Sequence, residues 1–246
     1  MSQGIERVIA FVCSADFLWG AMRTVELSVL STLLGVVGGL PLALLKDAKA
    51  PPLRWLVAFF LWAVRGTPVL LQLILVFNVL PLAGIVLPGF FCAVLVLSLN
   101  ESAYMAEIFR AGLGAVSRGQ RLAAKALGMS DAAVLRKVVL PQAARVVIPP
   151  LGNQFIGMLK LTSIVSVIAV PELLLVSNQA ASANFQYLEA LSAAAIYYLA
   201  LTSILMLVQS RLENWAGRKS KRAATARAHQ GSRATTDAAL DGGRMR

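Results

Sequence analysis

Residues 24–45 read TVELSVLSTLLGVVGGLPLALL, and residues 46–54 read KDAKAPPLR. The first stretch carries 19 consecutive uncharged residues from Leu27, and about 20 apolar residues in helical form cross the hydrocarbon core of a bilayer. The second is basic and holds two adjacent prolines. An apolar run closed by a basic connection reads as a membrane-spanning helix whose end is held in the cytoplasm. Gly35, Gly38 and Gly39 lie inside the run, and small residues at such positions let helices approach closely.

The rest of the chain repeats this grammar. It is 58% hydrophobic and only 14% charged, where a soluble domain carries about a quarter charged residues. The net charge is +11, but its distribution argues against nucleic acid as a partner. Residues 46–54, 110–145 and the tail from Arg211 hold three, seven and nine of the 23 Lys and Arg, while 66–100 and 161–210 hold none. Basic connections alternating with base-free ones follow the positive-inside rule.

This predicts an all-α integral membrane protein with five spans, at about 24–45, 53–80, 90–109, 146–170 and 188–209. The second is read as one long helix kinked at Pro68, because splitting it at Arg65-Gly66-Thr67-Pro68 leaves pieces of roughly a dozen residues, too short to span alone. The fourth is read as broken by Pro149-Pro150, Gly152 and Gly157, either to ease packing or to form a moving gate. Residues 171–186 are read as a connection, in which Pro171-Glu172 either meets a delivery protein or caps a helix. Parity puts the N-terminus outside and the C-terminus in the cytoplasm. The domain reading is an external segment 1–20, a transmembrane domain 21–213 with a cytoplasmic loop 110–141, and a disordered basic tail 214–246. The apolar stretch 8–13 is too short for a signal peptide. Cys13, Cys92 and His229 have no disulfide or metal spacing.

The cytoplasmic loop has its own pattern. Arg118, Arg121 and Lys125 recur at helical spacing on one face, with Leu113, Val116, Ala123 and Leu127 marking the other. Gly128 is the natural stop. Ser130 then caps a second short helix, with Asp131 at its start, Arg136 and Lys137 near its end, and Pro141 closing it. Two stiff helices at a fixed angle make a knob on which another protein can push; a loop resting on headgroups is the other reading.

The spacing Ala123-Ala124, three residues, Gly128, nine residues, Val138-Val139-Leu140-Pro141 resembles the EAA loop of ATP-binding-cassette (ABC) importer permeases. Arg65-Gly66-Thr67-Pro68, Leu99-Asn100 with Ala103-Tyr104 and 106–110, Pro150-Leu151-Gly152-Asn153-Gln154-Phe155, and 163–173 resemble the polar amino acid subfamily. The resemblance covers roughly residues 20–213. It implies a permease subunit in the bacterial inner membrane, working with ATP-binding-cassette ATPase subunits, a second permease copy or paralogue, an external solute-binding protein and membrane lipid. The implied ATPase-coupling residues are Arg110, Gly112, Ser117, Gly119, Ala123, Ala124, Ala126, Leu127, Gly128, Ser130, Leu140 and Pro141. The loop's usual leading Glu is Leu122 here, which exposes an apolar side chain. Leu161 stands where an acid often follows the mid-helix Lys.

Charged side chains at bilayer depth are costly unless paired or functional. The candidates for a solute path or gate are Arg65, Asn100, Glu101, Tyr104, Gly152, Asn153, Gln154, Lys160, Thr162 and Ser163. In one reading Lys160 or Arg65 receives an α-carboxylate and Glu101 an α-ammonium, since a desolvated amino acid needs both charges met. In the other, Lys160 pairs with Glu101, or Arg65 ties helices together through backbone carbonyls. There is no Gly-x4-Gly-Lys-Ser/Thr phosphate loop and no catalytic set. The chain is therefore expected not to be an enzyme and to carry no cofactor of its own, with Mg-ATP in the partner ATPase. A self-sufficient ion-coupled carrier or channel is the alternative.

Overall fold

The computed structural model describes residues 2–46, 48 and 50–214, whose regular structure is all helix, with no strand among them. Helix α1 is Ser2–Val12, α2 Ala15–Leu45, α3 Pro51–Gly66, α4 Val69–Val79 and α5 Gly89–Gly114. Helix α6 is Arg118–Ala126, α7 Asp131–Val134, α8 Leu140–Leu161 and α9 Leu173–Asn184, and α10 begins at Tyr187. Four stretches are long and apolar enough to cross a membrane: Ala15–Leu45, Gly89–Gly114, Asp131–Ile168 and Tyr187–Asn214. A fifth qualifies only when α3 and the segment Val69–Ala83 are taken together across a 104° bend. The tail beyond Asn214, expected to be disordered, lies outside the described residues.

The centre of the fold is the seam between α2 and α5. A Cβ on Gly35 would strike the Glu101 side chain, and one on Gly39 would sit 2.5 Å from Met105 Cβ and 3.0 Å from the Ala106 amide nitrogen. The pairs 35/101 and 39/105 advance together, so the two helices run parallel. Their C-terminal ends therefore lie at one end of the bundle, where Lys46 reaches Glu107. Gln209 of α10 reaches Pro149 and Asn153 of α8, and Gly112 packs on Ala143 and Val147. The basic residues around Lys46, those of 110–145 and Arg211, the first of the third cluster, thus gather at this basic end. At the opposite end Gly20 packs on Leu173, and Tyr197 donates to the Val12 carbonyl at 2.7 Å.

Four expectations are corrected. The second span is not one kinked helix: Thr67 is extended (φ −117°, ψ 146°), as the residue before a proline prefers, and the chain turns sharply there. Pro149-Pro150, Gly152 and Gly157 do not break the fourth span, since α8 runs through them and the change comes at Thr162, where a 3-10 segment continues to Ile168. Pro141 does not close the second short helix. Residues Leu135–Val139 form a π turn leading directly into α8, and Pro141 sits in the first turn of α8, where a missing N–H is tolerated. The connection 171–186 holds α9, and Glu172 caps it: its carboxylate accepts from the Leu174 and Leu175 amides at 2.8 Å each, from Tyr198 at 3.0 Å and from Thr24 at 3.4 Å. Glu172 is fully buried, and burial pushes its carboxyl above the ordinary carboxylate range despite these donors.

Candidate functional site

The residues expected to couple to an ATPase cluster in a small knob at the basic end. Ser117 caps α6 by accepting from the Gln120 amide at 3.4 Å, and Ser130 caps α7 by accepting from Ala133 at 3.3 Å. Between them Gly128 adopts φ +77° with nothing within 4 Å of where a Cβ would sit. That conformation is left-handed, which glycine takes without a steric cost. The two arms close on a core of Val116, Ala124, Val134 and Val139, joined by Leu113, Met129 and Val138. Lys125 Nζ and Asp131 Oδ1 pair across the glycine at 2.8 Å. The buried face therefore turns on Ala124; Ala123, expected there, is exposed and Leu127 is 83% exposed. A short helix bent by a glycine shows its last turn outward, which periodicity alone did not register.

Leu122 is exposed as expected. Gly119, Ala126, Leu140 and Pro141 also lie on the knob's outer surface. A cleft of about 860 Å³ runs along it, lined by Arg110, Arg118, Arg121, Lys125, Leu122 and Asp131 among others. Gly112 lies beneath, where a Cβ would collide with Val147. The cleft thus presents four cations, one carboxylate and apolar side chains, a surface suited to an acidic partner with an apolar ridge.

The residues expected to line a solute path fall into three places. Glu101 stands 12 residues into α5, about 18 Å from its start and so at mid-bilayer depth. It is 1% exposed, its Oε2 accepts from Gln154 Nε2 at 3.2 Å, and its Oε1 has no partner among the described residues. Asn100 is buried beside it in sequence. Lys160 instead borders an opening of about 480 Å³ with Asn153, Gly157, Gln209 and Glu213. There Asn153 Oδ1 accepts from Gln209 at 2.9 Å, and Gly152 leaves room for the Gln209 side chain. The expected pairing of Lys160 with Glu101 is not made. Thr162 and Ser163 direct their hydroxyls to the carbonyls of Leu159 and Lys160.

Arg65 and Tyr104 belong to the third place. Glu107 accepts from Lys46 at 2.6 Å, and also pairs with Arg65 at 3.5 Å and Arg110 at 3.3 Å. Arg65 lies over the Tyr104 ring, 5.6 Å from its centroid. Arg65 thus ties helices together in the manner of the second reading, through a carboxylate rather than backbone carbonyls. The hub role of Glu107 escaped the sequence reading, as did the Gln209 bridge. Glu107 stands one turn before Arg110, a spacing that signals a local pair but not a partner 61 residues away.

With this geometry in view, the chain's kinship is clear. Residues 35–218 match the family described as binding-protein-dependent transport system inner membrane component, and the chain belongs to that family. It is an inner membrane permease subunit of an ABC importer, with ATP hydrolysis in a separate chain. The arginine transport system permease protein ArgU of Corynebacterium glutamicum is 41% identical over 223 residues, covering 84% of this chain and 70% of that one. The L-cystine transport system permease protein TcyB of Bacillus subtilis is 40% identical over 79% of this chain and 83% of its own length. The glutamine transport system permease protein GlnP of Escherichia coli is 37% identical, with 79% and 90% covered. Among solved structures, an amino acid ABC transporter crystallised with histidines superposes with a TM-score of 0.77 at 38% identity, covering 81% of this chain and 93% of that one.

Proposed function

We propose that this permease imports a polar amino acid or a close relative such as an opine-like conjugate. The observation that carries the reading is kinship: proteins named for arginine, cystine and glutamine transport are 37–41% identical to this chain over most of its length. The polar residues within the spans support it. Lys160, on an open groove with Asn153 and Gln209, receives the solute's carboxylate. Glu101 holds one oxygen without a partner and meets the ammonium once α8 moves away from α5. The basic end faces the cytoplasm and the N-terminus lies outside. Two ATP-binding-cassette subunits, carrying Mg-ATP, grip the α6–α7 knob, and a second permease copy or paralogue completes the path. An external binding protein delivers solute at the opposite end.

Lys160→Met in the reconstituted transporter should abolish uptake while the ATPase subunit is still recovered with the permease. Uptake at unaltered affinity would sink the binding role. For coupling, tagged wild type should retain the ATPase subunit through purification and Gly128→Asp should lose it. Equal retention would place the docking surface elsewhere.

A further inference from the structure

The helix α3 does not behave as half of a simple span. Its 16 residues measure about 24 Å against a hydrocarbon core of about 30 Å, and it leaves α4 at 104°. Its inner face, Val57 and Leu61, packs on Ala43 of α2 and Ala103 and Ala106 of α5. Those alanines lie about 21–26 Å along α5 from Gly89, towards the basic end. The outer face carries Trp55, Phe59 and Trp62, which are 71%, 63% and 72% exposed. Two tryptophans on the free face of an amphipathic helix are the composition of a segment lying at a membrane–water boundary.

Beside Trp62 is an opening of about 410 Å³ whose lining includes Lys46, Arg65, Tyr104 and Glu107. Lys46, Arg65 and Arg110 all reach the single Glu107 carboxylate, which therefore does not neutralise Lys46 and Arg65 by itself. Both cations keep part of their side chains exposed. We infer that α3 lies in the membrane interface at the basic end, and that Lys46 and Arg65 there hold the phosphate of an anionic phospholipid whose acyl chains lie against Trp62 and Phe59. Charge complementarity selects this occupant. A second copy meeting this face with its own like face would set cation against cation, whereas a phosphate completes the set. Basic pockets between membrane helices take anionic headgroups on this principle.

The test uses the full-length chain with Trp19, Trp55 and Trp215 replaced by Phe, so that Trp62 alone reports. It is reconstituted in phosphatidylcholine containing an equal small fraction of brominated phosphatidylglycerol or brominated phosphatidylcholine. Quenching of Trp62 should favour the anionic lipid by about fivefold in effective affinity, which corresponds to about 1 kcal/mol. The preference should vanish in Lys46→Gln/Arg65→Gln and return in Lys46→Arg/Arg65→Lys, with quenching by brominated phosphatidylcholine unchanged in both. Equal quenching by the two lipids overturns the headgroup site. Absence of quenching by either lipid shows that Trp62 is covered by protein and overturns the interfacial placement. Excess inorganic phosphate should leave the preference intact; its loss would assign the site to free phosphate instead.

Discussion

The α2–α5 seam and the α6–α7 knob both depend on glycine, for opposite reasons. In the seam, Gly35 and Gly39 are needed because the neighbouring helix occupies the space a side chain would fill. In the knob, Gly128 stands in open space and is needed for its backbone angle. One region is specified by contact, the other by conformation. The difference teaches where a substitution should harm folding and where it should harm only the transmission of force.

The largest effect should come from Gly39→Val. Its branched side chain would meet Met105 and the Ala106 backbone, and backbone cannot swing aside as a side-chain tip does. The cost should reach about 3 kcal/mol or more, read as a loss of monodisperse protein and a sharp fall of the thermal midpoint in detergent. Gly157→Ala, with nothing within 4 Å inside α8, should instead leave stability unchanged or raise it by up to about 1 kcal/mol. If both variants melt alike, contact does not distinguish the seam.

Next in size is Gly128. A left-handed conformation costs a β-branched residue about 1–2 kcal/mol, and this strain falls on an exposed turn. Gly128→Val should therefore cut solute uptake by tenfold or more while moving the thermal midpoint by no more than about 5 °C. Gly128→Asn tolerates the same angle and should retain most uptake. Should the Asn variant fail as badly as Val, the backbone angle is not what the knob requires.

Glu172 belongs to the contact-specified region, because it joins α9 to Thr24 of α2 and Tyr198 of α10. Burial raises its carboxyl above the ordinary range, so the native state binds the proton more readily than the unfolded chain. Its contribution is then fully present below the unfolded value of about 4.3 and is lost as pH rises through the folded value. Stability should decline upward through that window in wild type, and Glu172→Gln should flatten the decline. An unchanged slope in the Gln variant would remove Glu172 as its source.

The same contrast explains what could be read from the sequence. The long apolar runs and the alternation of basic connections were legible because the bilayer imposes length and sign on each segment separately. Gly128 and Ser130 were legible because left-handed turns and caps are local. The bend at Thr67-Pro68 was not, since a proline restricts its predecessor alike in a kink or a corner. Nor was the passage through Pro141, which depends on a π turn whose residues, Leu135–Val139, carry no special signature. The Glu107 hub joins residues 61 apart and the buried link of Glu172 to Thr24 joins residues 148 apart, although the cap at Glu172 was one of two sequence readings. The pairing of Lys160 with Glu101, also one of two readings, is not made because α8 turns Gln154, not Lys160, toward Glu101 of α5.

The smallest effect, and the finest test of the contrast, is Lys125→Ala. The Lys125–Asp131 bridge spans the two arms of the knob, but its side chains are 55% and 85% exposed. An exposed pair contributes about 0–1 kcal/mol and is screened by salt. The thermal midpoint should thus stay within about 2 °C of wild type, and the ATP hydrolysed per solute moved should rise by no more than about twofold. High salt should reproduce the variant in the wild-type protein and add nothing to Lys125→Ala, because the screening length falls to about 3 Å at 1 M. A drop in midpoint as large as that of Gly39→Val would mean that the arms are welded by this contact. The knob would then be held in the same way as the seam, and conformation at Gly128 would no longer set it apart.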